Sequence, residues 1–176
     1  MKSLRVVMLA AIALMAGFMV QAQTAEEIVS KHIDAIGGKE KINGIKTIYT
    51  EYDMDVMGNQ APGITYMIAN KGYRNEIDFG GQKIIQVITD KGGWGINPMM
   101  GQTAPEALPE EQVKMNKGNL SPGGPLFEYA SKGGKVELNG TENVNGVSAH
   151  KLKLTTSEGN ELVYFIDPTT FYILKT

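Results

Sequence analysis

Two periodicities divide the chain. Ile28, Val29, Ile33 and Ile36 recur at helical spacing, and from Ile45 onward the apolar repeat shortens to two. Thr24-Ala25-Glu26-Glu27 ahead of the helical stripe predicts a capping box, with Glu27 reaching back to Thr24. Gly37-Gly38 predicts its end, and a short second turn runs from Lys39 to Ile42 before Asn43-Gly44. In the first strand Ile48, Thr50, Tyr52, Met54 and Val56 share one face, and Tyr49, Glu51, Asp53 and Asp55 share the other. A turn region over 57–63 leads to a strand with Ile64, Tyr66 and Ile68 on one face. Further strands follow over 73–79, 82–89 and 93–97, joined at Asn70-Lys71-Gly72, Gly80-Gly81 and Asp90-Lys91-Gly92. Strands at even spacing with glycine turns predict an antiparallel meander.

Pro98 interrupts that meander. Residues 99–107 read as irregular, Pro109 and Glu110-Glu111 predict a helix start, and the helix carries Leu108, Val113 and Met115 to about Lys117. A loop over 118–125 and a short helical piece over 126–132 complete an insertion, a feature that in compact domains often serves as a lid or binding element. The sheet resumes over 135–141 and 147–156, with Asn145-Gly146 as hairpin, then over 161–166 and 171–176. The expected fold is mainly β, with an N-terminal helix and a helical insertion plugging the concave face of a curved antiparallel meander, an incomplete barrel.

Residues 1–22 change the picture of what is structural. Lys2 and Arg5 precede an apolar run from Val6 to Val20, and Val20-Gln21-Ala22 fits a small-x-small cleavage site. That run of about 15 residues is short of the ~20 a transmembrane helix needs, so a cleavable signal peptide is expected, leaving one domain over 23–176. No cysteine occurs, so neither a disulfide framework nor a lipid-attached cysteine is available. The expected location is the periplasm. Removing Lys2 and Arg5 moves the formal charge from -2 to -4, a poor match for nucleic acid.

Candidate chemistry is sparse. His32 and His150 are the only histidines, no zinc-type spacing or nucleophile elbow occurs, and no phosphate loop follows a strand. The residues predict no metal, no cofactor and no catalytic group. Glu51, Asp53 and Asp55 read as a solvated row that discourages edge pairing, with cation binding as the alternative. Asn139-Gly140-Thr141 matches a glycosylation sequon and is read as chance. The stretch Gly92 to Gly101 holds the only tryptophan and the pair Met99-Met100. Soft apolar side chains on a glycine-loosened backbone suit a greasy ligand, and ordinary packing is the alternative. Arg74 is the sole arginine after residue 22. It reads either as a strand residue with a buried stem or as a polar latch on the insertion.

The order of segments resembles the periplasmic lipoprotein-carrier family of LolA and LolB, the outer-membrane lipoprotein-sorting proteins. Ala25-Glu26-Glu27-Ile28-Val29 through Ala35-Ile36-Gly37-Gly38 resembles the first helix of Bacteroidetes-type members. Gly92-Gly93-Trp94-Gly95-Ile96-Asn97-Pro98 resembles their Gly-Trp strand, and Tyr164-Phe165-Ile166-Asp167-Pro168-Thr169-Thr170-Phe171 their Asp-Pro turn. The resemblance implies a non-enzymatic carrier that holds acyl chains of lipoproteins or lipids in a hydrophobic cavity, with inner- or outer-membrane sorting components as partners. The cavity residues it suggests are Tyr52, Met54, Tyr66, Ile68, Trp94, Ile96, Met99, Met100, Leu108 and Val113, with Arg74 as lid latch. Trp94 and Ile96 are expected to point into the concavity and Met99-Met100 to line its rim. Relatives continue for further strands, whereas about nine are legible here, so an open sheet edge and self-association through it are expected. An envelope interaction or structural module without lipid transport is the alternative function.

Overall fold

The computed structural model describes residues 23–56 and 58–176. The expected signal peptide lies outside the described residues. Among the described residues there are three α-helices: α1 (Ala25–Ala35), α2 (Gly38–Gly44) and α3 (Glu110–Asn116). Ten strands occur among the described residues: β1 (Thr47–Val56), β2 (Asn59–Ile68), β3 (Gly72–Phe79), β4 (Gln82–Thr89), β5 (Gly92–Ile96), β6 (Glu106–Ala107), β7 (Lys135–Val144), β8 (Val147–Thr155), β9 (Glu161–Ile166) and β10 (Ile173–Lys175); nine follow the expected order, and β6 lies in the segment expected to be irregular, where it pairs with β5. The fold is mainly β, a curved antiparallel meander that does not close into a barrel.

The meander is split into two sheets. One runs β1-β2-β3-β4-β5-β6 and the other β10-β9-β8-β7, with α3 and its flanking loops in the chain between them. The capping box at α1 is present. Glu27 N–H donates to Thr24 Oγ1 and Thr24 N–H to Glu27 Oε2, each at 3.2 Å. The hairpin at Asn145-Gly146 has both residues at positive φ (51° and 89°), the turn whose twist matches its strands.

Three further features depart from the sequence reading. Residues 59–63 belong to β2 rather than to a turn, and Pro62 is tolerated there because β3 pairs with β2 only from Gly63 onward. At Pro62 the strand therefore has a neighbour on the β1 side alone, where a missing N–H breaks no second ladder. Residues 126–132 form turns and not a helix, with Leu126 and Phe127 buried and Glu128 at positive φ. Asn139-Gly140 falls at a shift of register within β7, with Gly140 at φ 77°.

The main core lies on the second sheet. Ile28, Val29 and Ile33 of α1, and Ile42 of α2, pack with Leu126, Phe127 and the inward residues of β7 to β9, among them Leu152, Leu154 and Ile166. His32, buried on α1, donates from Nδ1 to the carbonyl of Phe171 at 2.8 Å and so fastens the helix to the turn before β10. The first sheet has a smaller core, Ile88 with Val113 and Leu120 of the insertion, flanked by Tyr73 and Leu108.

Candidate functional site

The two faces of the first sheet differ in kind. Register places Tyr49, Tyr66, Arg74, Val87, Trp94 and Ala107 in one row across all six strands. Side chains alternate along each strand, so Glu51, Asp53, Asp55, Glu76, Asp78 and Lys83 share that face. The opposite face carries Ile48, Tyr52, Met54, Met67, Ile77, Phe79 and Ile84, with Asn, Gln and Thr as its polar members. Over β1 to β5 it holds no charged residue.

The insertion lies on this uncharged face. Val113 and Leu120 pack on Ile88, and Leu108 crosses Gly93 and Gly95, where a Cβ would meet its methyls at 3.0 and 3.4 Å. Tyr73 Oη donates to Asn116 Oδ1 at 3.1 Å, and Asn70 N–H to the Leu120 carbonyl at 2.8 Å. Burial pushes the Tyr73 hydroxyl above its ordinary range, with a hydrogen bond from Asn119 pulling the other way. The insertion covers β4 and β5 and leaves the β1 and β2 side of the face half-buried. There Tyr52 lies flat over Gly63 and donates to Asn75 Oδ1 at 2.6 Å.

The residues singled out from sequence therefore divide. Tyr52, Met54, Leu108 and Val113 belong to the uncharged face and its insertion. Tyr66, Ile68, Trp94 and Ile96 lie on the other face, turned away from the insertion. The expectation that Trp94 and Ile96 enter the insertion side is corrected: their strand phase is the reverse of Gly93 and Gly95, over which Leu108 sits. Met99 and Met100 occupy an exposed 3-10 turn, Pro98–Met100. Arg74 is no latch on the insertion. Its Nε is 2.7 Å from Glu76 Oε1 on the far face, and Lys83 stands 3.8 Å from the same carboxylate.

A cleft of about 610 Å³ opens between the insertion and the ends of β8 and β9. Met115, Leu120, Pro125, Leu154 and Leu162 supply apolar wall, while Asp90, Lys114, Lys117, Lys132, Glu158 and Glu161 make it densely charged. Lys132 donates to the Phe127 carbonyl at 2.9 Å, and burial holds its ammonium below the usual lysine range. None of the residues chosen from sequence lines this cleft. The prediction of an insertion was its only signal, because the lining comes from separate segments at residues 70, 90, 114–134 and 154–162 that only the fold brings together. A second cleft of about 370 Å³ runs beside α3 and includes Leu108 and Val113.

Among the described residues no group of three His, Asp or Glu side chains could hold a metal ion, and no helix is long and apolar enough to cross a membrane. The buried His150 Nε2 has no hydrogen-bond partner, and burial lowers its pKa. Comparison with protein-family models, with curated proteins and with solved structures finds no match to this chain.

Proposed function

We propose that this chain is a non-enzymatic periplasmic carrier that binds acyl chains of lipoproteins or lipids on the uncharged face of the first sheet, beneath and beside the insertion, for sorting to the outer membrane. The observation that carries this reading is the segregation of charge. Every charged residue of β1 to β5 lies on one face, and the face that receives the insertion has none. A charged group facing an acyl chain would lose its water without compensation, whereas an apolar wall gains about 25 cal/mol per Å² of hydrocarbon it shelters. The insertion rests on a core of three buried residues, so a chain can compete for Ile88 and its neighbours at modest cost. The order of motifs resembling the lipoprotein carriers supports the same ligand class.

The large cleft is the weaker candidate for acyl chains, since its six charged residues would have to be desolvated. The test is displacement of a fluorescent fatty acid from delipidated protein, with organic extracts of the purified protein analysed by mass spectrometry. Ile77→Lys places a charge on the uncharged face and is expected to abolish probe binding. Ile64→Lys, on the opposite face, is expected to leave it intact. Equal loss in both variants, or no binding by the unsubstituted protein, would sink the carrier reading.

A further inference from the structure

The face of the first sheet that turns away from the insertion is not an ordinary solvated surface. Tyr49, Tyr66 and Ile68 are 54, 47 and 55% exposed and Trp94 38%. Tyr49 and Tyr66 meet at 5.1 Å between ring centroids, tilted by 49°, and the row continues through Arg74 and Val87 to Trp94. Ile64, Ile85 and Ile96 share the next row with Glu51 and Glu76. The insertion packs on the other side. The Arg74–Glu76 ion pair, 2.7 Å, crosses the middle of this field, and the exposed tyrosines and tryptophan on its two sides are the residue types enriched at binding surfaces.

The charges on the same face say what covers it. Glu51, Asp53, Asp55, Glu76 and Asp78 stand against Arg74 and Lys83, a formal -3 over these seven residues. Both cations are drawn to Glu76, so Glu51, Asp53, Asp55 and Asp78 have no ion-pair partner among the described residues. The acids run along one flank of the aromatic row, about 7 Å from it at Glu51 and about 13 Å at Asp53 by strand spacing. A second copy would bring a like-charged border against this one, and an anionic membrane would be repelled by it.

We infer that this open face docks a cationic amphipathic helix of a partner protein, its apolar side on Tyr49, Tyr66, Val87 and Trp94 across Arg74, whose charge Glu76 holds, and its lysines or arginines over the flanking acids. Six strands span about 24 Å, the length of about 16 helical residues. The site is independent of the acyl-chain face, because the two lie on opposite sides of one sheet.

Trp94, the only tryptophan, reports on the face directly. The full chain is titrated with a synthetic leucine-lysine helical peptide, with its leucine-glutamate counterpart, and with vesicles of phosphatidylglycerol. The lysine peptide is expected to shift Trp94 emission to the blue with saturation, and to bind more weakly as salt rises. The glutamate peptide and the vesicles are expected to leave emission unchanged. Asp53→Lys and Ile68→Asp should each weaken peptide binding several-fold, and Glu111→Lys, on the exposed side of α3, should not. A Trp94 shift with vesicles, a concentration-dependent dimer abolished by Ile68→Asp, peptide binding that leaves Trp94 silent, or equal loss in Glu111→Lys would each overturn the inference.

Discussion

Gly63 and Tyr52 set the flatness of the uncharged face. A Cβ at Gly63 would lie 2.2 Å from Tyr52 Cζ, so any side chain there must expel the ring and break its hydrogen bond to Asn75. Gly63→Ala is expected to destabilise the protein by about 1–3 kcal/mol, as overpacked sites do. The penalty should largely vanish in a Tyr52→Ala background, which chemical denaturation of the double-mutant cycle would reveal. Asp167 acts at the other end of the chain. Its Oδ1 accepts the N–H groups of Thr169 and Thr170 at 2.7 and 2.8 Å, and these bonds, that of Thr170 first, hold the carboxyl below its ordinary range. A carboxylate with a depressed folded-state pKa stabilises above its unfolded value and loses that contribution as pH falls through the folded one. Asp167→Ala is therefore expected to lower the denaturation midpoint near neutral pH, with the difference from the unsubstituted protein shrinking in strong acid. The Asp-Pro turn was legible from sequence. For Arg74 the sequence left latch and strand residue both open, and its partner Glu76, two residues away on the same face of the same strand, rules out the latch.

At the scale of elements, α1 is locally encoded and α3 is not. The capping box, the apolar stripe and the glycine stop all agree for α1, and both box bonds form. Thr24→Ala removes one of them and should cost about 1 kcal/mol, measurable as a lower melting temperature. The helix α3 has seven residues and one fully inward side chain, Val113, too short a segment to persist without packing. Val113→Asp is expected to release the insertion while leaving the α1 core intact. Amide exchange over residues 110–120 should then accelerate far more than exchange in β8 and β9. Simultaneous loss of protection in both regions would show that the insertion is needed for the whole fold. The period-two pattern gave most strand positions, and it failed at 59–63 because Pro62 and Gly63 look like turn residues until the stagger of β3 along β2 is known.

At the scale of the molecule, stability is divided unevenly. The core around α1 and β7 to β9 buries twelve residues, against three beneath the insertion. In native-state exchange the amides of β8 are expected to open only with global unfolding, while those of the insertion open locally at lower free energy. That ordering suits the proposed function, in which the insertion parts to admit a ligand. A uniform protection pattern across both sheets would contradict it.

By itself the sequence determined the periods, turns and caps, because these depend on residues within a few positions of one another: the helix α1, the alternation in β1, the hairpin at Asn145-Gly146 and the interruption after Pro98. Tertiary structure alone decided which faces meet. It sent α1 past six strands to the second sheet, divided the meander in two, placed Leu108 over Gly93 and Gly95, and so turned Trp94 and Ile96 outward. Alternation along a strand tells which side chains share a face. Only packing between distant segments tells which face is covered, and that choice separates the uncharged surface from the charged, aromatic one behind it.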